Sequence, residues 1–260
     1  QHAQTSNFST QSRFLERVQL LHGPVEANSS IASSIANLAD GFNRLSASPD
    51  NPVMQRDVVN RATQMAQQFN KLSSDLLTLR QTSQDEMVLT VNNINDALDR
   101  IARLNQDIVQ ARGSGVSTAD LEDQRDLAVR NLSEQLDVSH FTNAEGVMVV
   151  QTRSGRRLAD TSVDKLQFVP TALGVGSAWP GAGAAGIFIG TLAGPDILAE
   201  NPGGKLGGLA TLRDRTFPQM HAQLDELAHK MALRFDAQNV RLFDDGAGNI
   251  PADAPPAYVG

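Results

Sequence analysis

The chain has 260 residues, of which 40% are hydrophobic and 20% are charged, and its formal net charge is -7. This length is enough for one or two domains with their own cores. A surface that binds nucleic acid needs clustered Lys and Arg, so the acidic balance argues against a nucleic-acid partner. The sequence contains no Cys, which excludes disulfides, thiolate metal ligands and cysteine nucleophiles. No apolar run approaches the roughly 20 residues of a membrane span, so no membrane partner is expected.

Two helices of moderate length are predicted first. Apolar residues at helical spacing predict a short helix over residues 14–21, which ends at Gly23-Pro24 because these residues cannot continue it. A second helix is predicted over residues 31–45, with Ser29 and Ser30 as candidates for its N-cap.

A long helix and a helical hairpin are predicted next. No Gly or Pro stands between Val53 and Arg112, and apolar residues recur there at steps of three and four. At 1.5 Å per residue this helix would be about 85 to 90 Å long. Gly113-Ser114-Gly115 then breaks the pattern, which resumes over residues 121–136 and predicts a returning arm. A helix of this length needs partners, so a bundle with its neighbouring helices is expected.

One polar level interrupts the apolar stripes of this hairpin. If the turn is centred near Gly115, Arg125 lies opposite Asn105. We predict a hydrogen bond from the Arg125 guanidinium to the Asn105 side-chain carbonyl, or otherwise to a nearby carboxylate, and we predict that this contact fixes the register. The alternative is that Arg125 extends into solvent and Asn105 turns outward.

After Val138 the pattern becomes that of short strands. Residues 146–150, 165–169 and 186–190 are apolar runs rich in β-branched or aromatic residues, and they predict a small antiparallel sheet. Helical spacing returns from Leu206, with Pro218 at a helix start or kink.

These elements predict an α+β fold that is mainly α: a long-helix bundle with a helical hairpin plus a small antiparallel β-rich subdomain. Four segments are expected: the helical bundle (1–137), the β-rich subdomain (138–202), a returning helix packed on the bundle (203–243), and a turn with a Pro/Ala-rich tail (244–260).

The motifs that could support chemistry are weak. Residues 181–186 match G-x-G-x-x-G but precede a predicted strand instead of a helix, and residues 203–208 lack the spacer and Ser/Thr of a phosphate loop. His221 and His229 are too far apart to share one helical turn, and a partly solvated helix face is expected there. Residues 244–249 lack the alternating acidic positions of a calcium loop. No enzymatic activity, metal or cofactor is therefore predicted.

Two sequence motifs are specific enough to indicate a family. Leu121-Glu122-Asp123-Gln124-Arg125-Asp126 follows the hairpin turn, and Gly203-Gly204-Lys205-Leu206-Gly207-Gly208-Leu209 precedes the last helix. Together with weaker matches in the same order along most of the chain, they resemble the flagellar hook-associated proteins of the hook-filament junction. These weaker matches include Phe42-Asn43, Gln68-Phe69-Asn70, Val91-Asn92-Asn93-Ile94-Asn95, Leu104-Asn105-Gln106-Asp107-Ile108 and Phe235-Asp236-Ala237-Gln238-Asn239.

The resemblance implies an extracellular axial protein, exported by the flagellar secretion apparatus, that forms a ring joining hook to filament. Its implied partners are the hook protein and neighbouring axial subunits, and no enzymatic activity is implied. The family's terminal coil segments have no counterpart here, so a core fragment is expected, and by itself this fragment should be monomeric. Another flagellin-like axial or tip protein, or a coiled adaptor or sensor module, is the alternative.

Overall fold

The computed structural model describes residues 2–22, 30–244 and 250. The described residues form helices α1 (His2–His22), α2 (Ile31–Ala47), α3 (Pro52–Gly113), α4 (Ala119–Gln135), α5 (Gly204–Thr211) and α6 (Phe217–Asp236). They also form strands β1 (Val138–Thr142), β2 (Met148–Thr152), β3 (Arg157–Ala159), β4 (Leu166–Phe168) and β5 (Ile187–Ile189). A short 3₁₀ helix covers Ile197–Glu200, and a π-helical turn covers Leu212–Thr216. The fold is mainly α with small antiparallel sheets, as predicted.

The long helix is confirmed as α3, a single helix of 62 residues. Pro52 suits its first turn because an N–H there has no partner within the helix. The Asn51 side-chain carbonyl accepts from the Val53 amide at 2.9 Å, which satisfies one of the free donors. The helix ends at the predicted turn, where Gly115 has a φ of 69°, a conformation that favours glycine. Helix α4 follows as the returning arm of the hairpin.

Helices α1 and α2 differ in how well the sequence predicts their ends. Ser30 caps α2 by accepting from the Ser33 amide at 3.1 Å, whereas Ser29 lies outside the described residues. Helix α1 begins at His2, well before the predicted start. Its first turns pack on α5, because a Cβ on Gly208 would lie 2.8 Å from the Asn7 carbonyl oxygen. Backbone atoms can pack this closely without apolar side chains, so the sequence of these first turns shows no apolar periodicity that would predict a helix.

The β-rich region forms two small antiparallel sheets. Strands β1, β2 and β3 are hydrogen-bonded in that order, and β4 pairs with β5. The predicted strands correspond to β2, β4 and β5. Strands β1 and β3 were not predicted from the sequence: β1 is largely exposed and so lacks alternation of apolar residues, and β3 has only three residues.

By compactness the chain divides into two units. One contains Gln1–Arg13 and Arg80–Arg215, and the other contains Phe14–Leu79 and Thr216–Gly260. The four predicted segments follow composition, whereas these units follow proximity of the backbone, and α1 and α3 each contribute to both. The predicted segment boundaries therefore stay a prediction. Pro218 lies in the first turn of α6, one of the two places expected for it.

Candidate functional site

Helix α3 holds the β-rich region through a row of polar side chains. Gln84, Asn95 and Gln106 stand eleven positions apart, which is about three turns at 3.6 residues per turn, so they lie on one face. We call the polar side chains of α3 that bond to backbone groups of residues 146–213 the polar ladder. Its members are Arg80, Gln81, Gln84, Asn95, Asn105 and Gln106.

Asn105 is the most completely bonded member of the ladder. Its amide nitrogen donates to the carbonyls of Met148 at 2.8 Å and Asp160 at 2.7 Å. Its carbonyl oxygen accepts from the Met148 amide at 3.0 Å and from Arg125 Nη1 at 3.0 Å. The side chain is 0% exposed, and both of its donors and both lone pairs of its oxygen are used. The amide thus bonds β2 as a neighbouring strand would, beyond the two residues that pair with β3.

Arg125 makes the contact with Asn105 that we predicted from the hairpin pattern. Its Nη1 also donates to the Gly146 carbonyl at 2.9 Å. The solvent-exposed alternative is wrong because Arg125 is only 4% exposed. Burial lowers the pKa of the guanidinium, whereas the neighbouring carboxylates of Asp126 and Glu122 raise it. Whether the pair fixes the register of the hairpin stays a prediction.

The turn between β1 and β2 is enclosed by two arginines. Gly146 has a φ of 85°, and a Cβ at this position would collide with the Arg112 guanidinium. The Gly146 carbonyl accepts from Arg125, whose own Nε is buried without a hydrogen-bond partner among the described atoms. The backbone conformation favours glycine at this position, and a Cβ would also displace the end of the Arg112 side chain.

Asn95 repeats the bonding geometry of Asn105 on β4. Its amide nitrogen donates to the Leu166 carbonyl at 2.9 Å, and its oxygen accepts from the Leu166 amide at 2.8 Å. The glutamines each make one such bond: Gln84 donates to Thr171 at 2.6 Å, Gln106 donates to Thr161 at 2.7 Å, and Gln81 accepts from Leu173 at 3.4 Å. Irregular backbone is thus paired by side chains where no strand is available.

Arg80 completes the ladder at the π-helical turn. Its guanidinium donates to the carbonyls of Arg213 at 2.7 Å, Gly174 at 3.1 Å and Ser177 at 2.6 Å. Pro218 stands five residues after Arg213 and has no N–H, so a π-helical bond to the Arg213 carbonyl cannot form. Arg80 supplies the missing donor. The three bonds satisfy a guanidinium that is nearly inaccessible to solvent.

Arg213 and Asp214 form a buried ion pair in the same turn. The Arg213 guanidinium donates to both Asp214 oxygens, at 2.7 and 2.8 Å. Burial raises the pKa of the Asp214 carboxyl, and the positive charge of Arg213 opposes this effect only in part.

Only Asn105 and Arg125 were predicted from the sequence. Arg80 and Gln84 were missed, although they occupy positions of the same three-and-four rhythm as Met87 and Asn105, where an apolar residue would normally stand. That signal could have found them. Asn95 and Gln106 lie beside the apolar stripe and give no signal in the sequence.

The motifs that we rejected as chemical sites have structural roles where they are described. His221 was expected on a partly solvated face, but it is 2% exposed and its Nε2 lies 3.1 Å from Ser73 Oγ. The expectation was wrong for His221, because this position of α6 packs against Ser73 of α3, whereas His229 is half-buried as expected. In residues 181–186, Gly181 and Gly183 have positive φ angles, and a β-bridge joins Ala178 to Ala182. Of residues 244–249, only Asp244 is described.

Within the described ranges, no group of three or more His, Cys, Asp and Glu side chains is placed to hold a metal ion. None of the helices that the structure describes combines the length and apolar character needed to cross a membrane.

Comparison with known proteins identifies the family. The family model described as "Flagellar hook-associated protein FlgK helical domain" matches residues 17–249. The chain belongs to this family. Family membership makes it a component of the bacterial flagellum, outside the cell.

Individual relatives agree with this assignment. The chain is 27% identical over 256 residues to Flagellar hook-associated protein 1 of Salmonella typhimurium, covering 93% of this chain and 43% of the relative. It is 30% identical over 130 residues to a flagellin of Serratia marcescens, covering 49% of this chain and 34% of that protein. The solved flagellar hook junction protein FlgK from Burkholderia pseudomallei superposes with a TM-score of 0.77 at 26% identity, covering 97% of this chain and 45% of that one. The chain thus spans less than half the length of these relatives.

Proposed function

We propose that this chain is a non-enzymatic, structural segment of a flagellar subunit that joins hook to filament. Its partners in this role are the hook protein and neighbouring axial subunits. The proposal draws on the hook-associated relatives and on the architecture of the helical hairpin with its β-rich region.

The polar ladder is the observation that supports this function most directly. A junction segment must keep its parts in fixed positions under torque. Apolar contacts are non-directional and tolerate sliding, whereas the bidentate bonds of Asn95 and Asn105 are made in only one position along α3. The ladder therefore suits a mechanical element. The ladder side chains use their hydrogen-bonding groups to bind the protein's own backbone, so they are poorly suited to act on a substrate.

A second candidate is a flagellin-like subunit of the filament itself. The match to the Serratia flagellin over about half of the chain favours it. The two candidates differ in position and copy number, because a filament subunit would be distributed along the whole filament.

The test is a strain in which the gene encoding this chain is deleted, together with a complemented strain. We expect the deletion strain to assemble hooks without attached filaments and to release flagellin into the medium, and we expect complementation to restore filaments. Filaments that stay attached in the deletion strain would contradict the junction role. Immunogold labelling of the complemented strain should mark the boundary between hook and filament, whereas labelling along the filament would favour the flagellin-like candidate.

The isolated 260-residue chain is proposed to be a monomer at micromolar concentration. Its net charge of -7 disfavours self-association. Light scattering coupled to size exclusion should give the mass of one chain, and a stable oligomer would mean that these residues themselves contain the assembly interface.

A further inference from the structure

The strands of this protein differ in whether their outer edges are closed. The outer edge of β3 is partly covered, because Ala159 forms an isolated β-bridge with Val163. The edge of β4 is bonded by the Asn95 side chain, and β5 is bridged to Asp196. Unpaired edges invite other strands, and proteins normally cover or protect them. Among the described strands, β1 is the one whose outer edge has no such cover.

The free backbone groups of β1 follow from the pairing pattern. The Asn143 amide donates to the Val147 carbonyl at 2.9 Å, and residues of an antiparallel pair alternate between facing their partner and facing away. Ser139 and Phe141 therefore face β2, whereas Val138, His140 and Thr142 direct their N–H and C=O groups outward. The Met148 amide agrees with this alternation, because it points away from β1 and bonds Asn105. In the described part of the chain, no backbone hydrogen bond reaches these outward groups of β1.

The β1 edge also lacks the usual protective features. Its sequence, Val-Ser-His-Phe-Thr, contains no Pro, Lys or other formally charged residue at pH 7, and its pairing with β2 has no bulge. Phe141 is 52% exposed although it lies within the strand. The edge is open, regular and partly apolar, which is the combination that accepts an added strand.

We propose that β1 is a docking site for an extended segment of a partner protein that adds a fourth strand to this sheet. This inference is independent of the proposed junction function. The partner segment is an uncharged strand of alternating β-branched residues with a basic residue at each end. Hydrogen bonds to Val138, His140 and Thr142 provide the pairing.

Charge decides between such a partner and a second copy of this chain. Acidic side chains flank β1 at both ends, with Asp137 before it and the exposed Glu145 in the turn after it. Antiparallel self-pairing centred on His140 would bring Asp137 of each copy close to the turn of the other copy that contains Glu145. Like charges across strands are destabilising. A strand with basic ends meets the same acids favourably. Arg153 already pairs with Asp137 at 3.5 Å, but its side chain is 82% exposed, and ion pairs at such exposed positions are weak.

The experiment uses a blocked synthetic peptide, acetyl-Lys-Thr-Val-Thr-Val-Thr-Lys-amide, added to the isotopically labelled 260-residue chain. Amide hydrogen exchange is followed by NMR at millimolar peptide. We expect exchange at Val138, His140 and Thr142 to slow by on the order of tenfold. Ser139 and Phe141, which are already paired with β2, should change little. This alternation distinguishes strand addition from general contact.

Two matched controls test the backbone and charge arguments separately. The same peptide with N-methyl groups on alternate residues cannot pair as a strand and should give no protection. The peptide with Glu in place of both Lys should bind at least several-fold more weakly. In the protein, His140→Pro removes an outward N–H without breaking a bond to β2 and should abolish binding. Unchanged protection at Phe141 verifies that this variant keeps β1.

Several outcomes would overturn the proposal. These are no protection at any peptide concentration, equal binding of the methylated peptide, or equal binding of the acidic peptide. Protection of the same three amides that grows with protein concentration in the absence of peptide would instead identify a second copy as the occupant.

Discussion

Helix α3 buries different chemistry in the two compact units. Residues that it buries in the unit containing Phe14–Leu79 are apolar: Val58, Ala62, Met65, Phe69 and Leu76. In the unit containing Arg80–Arg215 it also buries polar residues: Arg80, Ser83, Gln84, Thr90 and Asn105. Helix α3 thus buries only apolar residues in one unit and both apolar and polar residues in the other.

The neighbours of the helix explain this difference. In the unit containing Phe14–Leu79 the described neighbours of α3 are mostly helices, which satisfy their own backbone groups. These helices pack through apolar side chains. Phe14 of α1 and Phe217 of α6, for example, form an edge-to-face pair with 6.1 Å between ring centroids. In the other unit, α3 contacts short strands and loops whose backbone groups need partners. Buried polar side chains are therefore expected where a helix packs against irregular backbone.

The largest expected effect tests the apolar side of this comparison. Phe217→Ala should lower the free energy of unfolding by about 4 kcal/mol, because it leaves a cavity beside Phe14 in a fully buried position. Leu227→Ala, on the more exposed part of the same helix, is the control and should cost about 1 kcal/mol or less. Urea unfolding followed by circular dichroism measures both. Equal costs for the two variants would contradict the apolar account of this unit.

Asn105→Leu tests the polar side of the comparison. The change keeps the branched side-chain shape but replaces the amide oxygen and nitrogen with methyl groups. This leaves Met148, Asp160 and Arg125 with unpaired groups in a buried site, so we expect a loss of about 3 kcal/mol. Asn92→Leu, at an exposed position of α3, is the matched control and should be nearly neutral. Urea unfolding followed by fluorescence of Trp179, which lies in the same unit, provides the measurement. If the leucine variant were as stable as the wild type, apolar packing would suffice in both units.

A double-mutant cycle isolates the contact between Asn105 and Arg125. Asn105→Leu, Arg125→Leu and the double variant should give a coupling energy of about 1 to 2 kcal/mol, because the hydrogen bond joins a charged donor to a buried amide. The pair Asn92→Leu and Arg125→Leu serves as a non-contacting reference. Coupling near zero would mean that the contact contributes no net stability, and it would weaken the proposed role in setting the register of the hairpin.

The sequence predicts regular elements better than it predicts the ladder. Helical periodicity located α3 and the hairpin because apolar spacing persists over many turns. Asn105 and Arg125 were found because they interrupt two facing stripes at one level. Asn95 could not be found, because its partner is the backbone of Leu166, and backbone groups are the same at every residue. Strand β1 was missed for a related reason, since exposed side chains give it no apolar alternation.

The smallest expected effect concerns how the polar unit responds to pH. Burial raises the pKa of Asp214 in the folded protein above that in the unfolded chain, although Arg213 opposes the shift. Between these two values the folded state binds more protons than the unfolded state, so the contribution of Asp214 to stability falls as the pH rises. Below the unfolded value the carboxyl is neutral in both states.

Comparison of wild type with Asp214→Asn isolates this contribution. The stability of the wild type relative to the variant should decrease as the pH rises from below the unfolded value through the raised pKa, and it should then level off. Urea midpoints followed by Trp179 fluorescence between about pH 3.5 and 7 measure it, with Asp123→Asn on the exposed face of α4 as the control. A relative stability that increases with pH would mean that the ion pair with Arg213 outweighs burial. The polar unit would then gain stability from its buried charges and not only from hydrogen bonds between side chains and the backbone.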